Sequence, residues 1–219
     1  MASEVQDLRA FGPRPVIVGG GDVLVRPARP TDEPFLVGLI ERSSAETVRR
    51  RFHGVFGSAA RRELTRIAQP THAHRSWVAV ADGQVVGTIT LARDRQGRFE
   101  VAIIVEDAWA GRGVGRRLME AVLRDAQRQG VQELVAWVQP ENLRAIAFFR
   151  TVVPGATGAF VDGDVVMRVP VPAVVRPLRS RAAAASVVRA DGAADGSPGR
   201  AVSAAAGAPP AIASRVRTA

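Results

Sequence analysis

Glycine and arginine alternate in Ala110-Gly111-Arg112-Gly113-Val114-Gly115-Arg116-Arg117, where an apolar run has just ended and a helical period begins. Glycines let a backbone turn tightly and approach a ligand. The first amides of a helix have no acceptor within it and sit at the positive end of its dipole. With Arg side chains adding charge-assisted hydrogen bonds, the segment has the chemistry of an anion site, and a phosphate suits it. A tight strand-to-helix turn lined by solvated arginines uses the same residues, and a short glycine pattern does not separate the two readings. Two familiar phosphate loops are excluded by residues they require. A P-loop needs Lys, and the chain has none. A dinucleotide fingerprint needs an acidic residue near the end of the following strand. Here that strand runs out at Val138-Gln139-Pro140, and the segment stands mid-chain rather than at a domain start.

Other chemistries are limited by what the sequence lacks. Without cysteine there is no disulfide, thiolate metal site or thiol nucleophile, and without Lys or Tyr neither can act as a catalyst. His53, His72 and His74 have no spacing of the His-Glu-x-x-His kind, so no metal is expected. His72 and His74 fall in an expected loop and are read as solvated. Arg49, Arg50 and Arg51 form a charge run on a helix and are read as facing water, the other use open to them being to orient an acidic acceptor. Trp109 beside the turn is expected to pack rather than to stack on a ligand.

The elements that must position the glycine segment follow from periodicity. Met1 to Gly21, ending in three glycines, reads as a flexible leader, with order beginning at Asp22. Val23 to Arg26 reads as a strand. Thr31-Asp32-Glu33 then supplies an N-cap and acidic first turn for a helix carrying Phe35, Leu36, Leu39 and Ile40. Further helices are expected from Ser44 to Arg51, stopping near His53-Gly54, and from Ser58 to Gln69. Trp77 to Val80 and Val85 to Leu91 flank Asp82-Gly83 as a hairpin, and Gln96-Gly97 turns the chain into a strand from Phe99 to Val105. From the glycine segment to about Gly130, Val114, Leu118, Met119, Val122, Leu123 and Ala126 share one helical face. Leu134 to Val138 is the next strand. Strand, helix and strand in that order form a crossover whose two strands are parallel neighbours. A helix from Glu141 to Arg150 and strands at Ala159–Phe160 and Val165–Val169, around Asp162-Gly163, complete a mixed α/β domain over residues 22–171.

From Pro172 to Ala219 small residues, Pro and Arg dominate, and such a segment buries too little apolar surface to offset chain entropy, so it reads as disordered. The chain carries +9, of which this tail, with seven Arg against Asp191 and Asp195, holds +5. The basic character therefore belongs mostly to the tail. Its arginines are sparse and lack interleaved aromatics, which ranks nucleic-acid binding last among the functions considered. No stretch approaches the roughly 20 apolar residues of a membrane span, and no secretory leader is apparent, so a cytoplasmic location with no membrane partner is expected. Oligomeric state is not readable.

The order of elements and the glycine segment resemble the GNAT superfamily of N-acetyltransferases, over about Asp22 to Val171. The family signature is Gln/Arg-x-x-Gly-x-Gly/Ala. Gly113 and Gly115 match it, while Ala110 stands where Gln or Arg is usual. Arg50-Arg51-Phe52-His53-Gly54 and Glu100-Val101-Ala102 are also similar to bacterial acetyltransferase domains that modify protein lysines. The resemblance implies a mixed, mostly antiparallel twisted sheet with one splayed parallel pair, flanked by helices. It implies acetyl-CoA as co-substrate, with Ala110, Gly111, Arg112, Gly113, Val114, Gly115, Arg116 and Arg117 around its pyrophosphate. Ile103 and Val105 would offer backbone amides to the oxyanion and pantetheine arm, and Asn142 would touch that arm or simply start a helix.

For catalysis the resemblance points to Glu100, ten residues ahead of Ala110, as the base that takes the proton of a primary amine, directly or through water. A carboxylate on an apolar strand would have the raised pKa such a base needs. The alternative for Glu100 is a simple ion pair with Arg98 or another surface Arg. Family members often carry a Tyr seven residues after the Asn to help the thiolate leave. Phe149 occupies that place, so protonation falls to water. His53 and Phe52 are candidates for the acceptor pocket, His53 having partial exposure at a helix end as its other reading. The acceptor is a protein lysine or a small-molecule amine. Ala110 and the missing Tyr keep a catalytically weak acyl-CoA-binding regulatory module as the alternative function.

Overall fold

A computed structural model describes residues 15–18, 21–54, 57–94 and 96–173. Most of the expected leader, and the expected disordered segment from residue 174 onward, lie outside the described residues. In chain order the elements are β1 (Pro15–Val18), β2 (Gly21–Pro27), α1 (Glu33–Arg42), α2 (Ala45–Phe52), α3 (Ser58–Ala68), β3 (His74–Ala81), β4 (Gln84–Arg93) and β5 (Phe99–Val105). They continue with α4 (Val114–Arg128), β6 (Glu133–Val138), α5 (Leu143–Val152), β7 (Thr157–Val161) and β8 (Asp164–Pro170).

The strands make one eight-stranded sheet in the order β1-β2-β3-β4-β5-β6-β8-β7. Every neighbouring pair is antiparallel except β5 and β6, which the α4 crossover makes parallel. The sheet starts earlier than the expected Asp22, because Val16 pairs with Val23. A four-residue strand between Pro15 and the glycines is too short to carry a periodic signal. Asp82 (φ 50°) and Gly83 (φ 72°) both take positive φ, as does the pair Asp162 and Gly163, which suits the tight turns that join β3 to β4 and β7 to β8.

Two apolar layers hold the sheet. On one face α4 buries Leu118, Met119, Val122, Leu123 and Ala126 against Trp77, Ile89 and Val101. On the other face Leu36, Leu39, Leu64 and Ile67 of α1 and α3 pack on Val78 and Ile104. Each fully buried leucine contributes about 1.5–3 kcal/mol, enough to fix which face of each helix meets the sheet. Because side chains alternate along a strand, Val101 and Ile104 assign the faces of β5. Ile103 and Val105 point toward α4, while Glu100, Ala102 and Ile104 point toward α1–α3.

The entry to α1 differs from expectation. The Asp32 side chain accepts no hydrogen bond from the first amides of that helix, which is preceded by a short 3₁₀ turn over Pro30–Asp32. Its carboxylate turns inward and accepts from the Arg26 guanidinium at 2.7 and 2.6 Å and from the Arg29 amide at 2.8 Å. A bidentate pair with a largely buried Arg is a stronger partner than an exposed helix amide. Ser44 does cap α2, accepting from the Thr47 amide at 3.2 Å, and α2 ends as expected at His53 in the left-handed region (φ 51°). Among the described residues no helix is long and apolar enough to cross a membrane, and no group of three or more metal-ligating side chains occurs.

Candidate active site

The glycine segment is held between β5 and α4. A short 3₁₀ turn over Asp107–Trp109 leads to an extended Ala110, and Gly111 (φ 78°) and Gly113 (φ 84°) then take left-handed conformations that set the chain into α4. The Arg117 amide makes the first bond back to the Gly113 carbonyl, at 3.2 Å. The amides of Val114 and Gly115 therefore have no acceptor inside the helix, and among the described residues neither donates to another backbone carbonyl. These donors stand where the sequence reading expects an anion cradle. Arg112 lies 5.2 Å above the Trp109 ring, and Trp109 packs on the core, as expected of it. Arg117 leans along the helix toward Glu120 at 3.7 Å, and Arg116 is half-buried beside it. A Cβ on Gly115 would stand 3.1 Å from the Phe148 ring and 3.5 Å from Ile103, so the helix start is pressed between α5 and β5.

Beside the cradle the sheet opens. The parallel ladder between β5 and β6 consists of two pairs only, Phe99 with Leu134 and Glu100 with Val135. The Glu106 amide donates to the Val86 carbonyl at 3.0 Å, so by alternation the amides of Ala102 and Ile104 also face β4. Those of Ile103 and Val105 then face the side where pairing with β6 has stopped. Both residues lie in the stretch from which an oxyanion donor is expected.

Glu100 stands at the last paired position of that ladder, with its side chain toward α2 and α3. Burial pushes its carboxyl above the ordinary glutamate value. The Arg51 guanidinium opposes this, Asp94 adds to it, His53 opposes it and Glu63 adds to it. Arg98, one partner considered for Glu100, instead binds Asp94 at 2.7 Å.

Two expectations about the surroundings are corrected. Arg51 does not face water: its side chain is only 9 % exposed and reaches Glu63 at 3.6 Å. Arg49 and Arg50 are the more exposed members of the run and pair with Glu46. His74 is not a solvated loop residue. It opens β3, is largely buried, and places Nε2 3.4 Å from the Glu63 carboxylate. Both depend on which faces of α2 and α3 meet the sheet. A signal for Arg51 was present, since Val48, the buried residue of α2, lies three positions before it and hence on the same helical face. Glu63 carries a comparable signal, lying three positions after Ala60 and four before Ile67, both buried residues of α3.

The other candidates fall as follows. His53 is exposed at the end of α2, and His72 is exposed in its loop. Phe52 is half-buried against the α1–α3 layer, with the Arg51 guanidinium 5.1 Å above its ring. Asn142 caps α5, its Oδ1 accepting from the Ala145 amide at 3.1 Å, which is its helix-start reading. Phe149 is sealed in the core, and its neighbour Phe148 is the residue beside Gly115. Asp107 is a positioning group that sequence reasoning missed. It accepts from the Ser44 amide and the Thr47 hydroxyl, each at 2.7 Å, and so ties the start of α2 to the loop that leads into the cradle.

This architecture has known counterparts. Residues 45–152 match the model of the Acetyltransferase (GNAT) family, a span that holds α2, the whole of β5, the cradle and α5. The domain belongs to the GNAT acetyltransferase family. Among solved structures, the GNAT domain of S. lividans PAT aligns with a TM-score of 0.64 at 26 % identity, covering 72 % of this chain and 96 % of that one. A cAMP-binding acyltransferase from Mycobacterium smegmatis aligns with a TM-score of 0.53 at 28 % identity, covering 83 % of this chain and 54 % of its own. Acetyltransferase Pat of Mycolicibacterium smegmatis is 37 % identical over 146 residues, 63 % of this chain. The chain spans 43 % of the length of that relative.

In a GNAT domain the positive φ of Gly113 has a direct consequence. Gly113→Ala places a Cβ on a left-handed residue (φ 84°), at a cost of about 1–2 kcal/mol unless the peptide rotates. Rotation would re-aim the amides of Val114 and Gly115. Calorimetry with coenzyme A should then show affinity reduced by about tenfold, with the fold retained.

Proposed function

We propose that this domain transfers an acetyl group from acetyl-CoA to a primary amine, either a protein lysine or a small molecule, with Glu100 as general base. The observation that carries this reading is where the β5–β6 ladder ends. Glu100 stands at its last rung, amides of β5 face the gap that opens beyond it, and the same strand runs on to the glycine turn that starts α4.

The diphosphate of the thioester substrate would be held by the amides of Val114 and Gly115, with Arg112 at the mouth of the turn. The pantetheine arm would lie in the gap, bringing the thioester carbonyl close to Ile103 and Val105. Glu100 takes a proton from the incoming ammonium, directly or through water, and the freed nitrogen attacks the carbonyl carbon. The C–N bond forms, and the negative oxygen of the tetrahedral intermediate is met by an amide facing the gap. Collapse breaks the C–S bond. The nitrogen gives up its second proton to water, and the thiolate leaves and takes a proton from water, because Phe149 offers none and the chain has neither Tyr nor Lys.

The pH dependence has a definite sign. Glu100 must be ionised to act, and its carboxyl is raised, so kcat/KM falls as pH drops through a midpoint above the ordinary glutamate value. This limb should vanish in Glu100→Gln. The proposal as a whole is tested by incubating the protein with isotopically labelled acetyl-CoA and either a proteome or a panel of amines, then following free thiol and labelled product by mass spectrometry. Since the chain has no Lys, any acetyl-lysine detected belongs to the acceptor. Labelled amine together with free thiol is expected. Tight acetyl-CoA binding with no product from any amine would contradict the enzyme.

A further inference from the structure

Resting on the reading of Glu100 as the base, we propose that Arg51 is a positioning residue, its buried guanidinium reaching in from α2 between Glu63 and Glu100 to hold the Glu100 carboxylate in place and charged. Glu63, anchored on His74, sets how much of that guanidinium Glu100 receives.

The geometry is that of a buried cation in contact with one acid, Glu63, and within electrostatic reach of a second, Glu100. Arg51 Nη2 is 3.6 Å from Glu63 Oε1, and the same oxygen is 3.4 Å from His74 Nε2. Arg51 Nε and Nη2 are buried without a hydrogen-bond partner among the described residues. A guanidinium so placed is costly unless a carboxylate or ordered water uses those donors. In cross-sheet register, His74 of β3 pairs with Ala92 of β4, and Ala92 pairs with Glu100 of β5. His74 and Glu100 thus stand in one row on the same face, separated by a residue whose side chain is a single methyl group. Arg51 and Glu63 come down on this row from the helices above.

The charged groups facing Glu100 are Arg51 and His53 at the end of α2, Glu63 of α3, and Asp94 in the loop between β4 and β5. Asp94 is engaged by Arg98 and His53 is exposed, so Arg51 is the main group favouring ionisation of a half-buried carboxylate. Glu63 acts against Glu100 twice, by like charge and by drawing Arg51 toward itself. Arg51 also fixes place as well as charge, because its head group is held by burial over Phe52 as well as by Glu63.

Two substitutions therefore have opposite signs. In the full chain with carboxyl-labelled glutamate, the Glu100 side chain is titrated by ¹³C NMR, its signal identified by its loss in Glu100→Gln. Arg51→Met should move the Glu100 midpoint to higher pH, Arg51→Lys should restore most of the change, and Glu63→Gln should move it to lower pH. The acid limb of kcat/KM should follow in the same directions. A midpoint unmoved in folded Arg51→Met, or raised in Glu63→Gln, overturns the proposal. Should Arg51→Met fail to fold, the sign in Glu63→Gln alone decides. Full transfer activity in Glu100→Gln would instead remove Glu100 from the reaction, leaving its pairing with Arg51 to be read from the titration.

Discussion

Glu100→Gln is expected to give a folded protein that binds acetyl-CoA almost as the parent does and transfers the acetyl group about 10²–10⁴-fold more slowly. Gln keeps the shape of the side chain and removes only its capacity to take a proton. Folding is spared because burial already disfavours the charged carboxylate here, so a neutral amide is tolerated in its place. Replacement from nearby is not available. Glu63 is engaged by His74 and Arg51, and burial pushing it up is outweighed by these partners, so it stays a poor base. Asp94 is held by Arg98, and its carboxyl is likewise lowered on balance. Steady-state kinetics with acetyl-CoA and the acceptor found by mass spectrometry would measure the effect. A rate within a few-fold of the parent would remove Glu100 from the mechanism.

The largest effect on stability is expected at Asp32. Asp32→Ala should lower the free energy of unfolding by about 3–5 kcal/mol, read from denaturant melts. The substitution leaves the largely buried Arg26 without its bidentate partner and the Arg29 amide without its acceptor. By contrast, breaking the exposed pair between Arg168 and Glu133 should cost at most about 1 kcal/mol. Burial pushes the Asp32 carboxyl up, but the Arg26 hydrogen bonds and the Arg29 amide outweigh it and the net shift is downward. A carboxylate lowered in the folded state contributes stability that is present above the ordinary aspartate value and is lost as pH falls through its lowered one. The gap between parent and variant should therefore narrow in that acid window. The site depends on this pair as well, because Asp32 fixes the entry to α1, and Glu33 beside it accepts from Thr65 of α3, the helix that carries Glu63.

What could be read from the sequence was what short stretches of chain determine. The turn at Asp82-Gly83, the β5 span and the buried stripe of α4 follow from backbone preference and period, and each appears as expected. The glycine turn at the start of α4 was legible for the same reason, since a strand end, glycines and a helix start are all local. Glu100 was legible only through spacing within a resemblance. Its environment was not. Arg51, Glu63 and His74 come from two helices and a third strand, and they meet because the α1–α3 layer docks with particular faces on the sheet. The inward turn of Asp32 is equally non-local in effect, since an Arg in the preceding strand outcompetes the helix start that its position suggests. The early start of the sheet at Pro15 escaped because a short strand has no period to read.

In the proposed reaction coenzyme A lies with its diphosphate at the start of α4 and its arm between β5 and β6. Amide chemical shifts recorded while coenzyme A is titrated into ¹⁵N-labelled protein test this residue by residue. The largest changes are predicted at Gly113, Val114 and Gly115, continuing to Ile103 and Val105. Saturable binding that leaves those amides unmoved, or no binding at millimolar ligand, would contradict it.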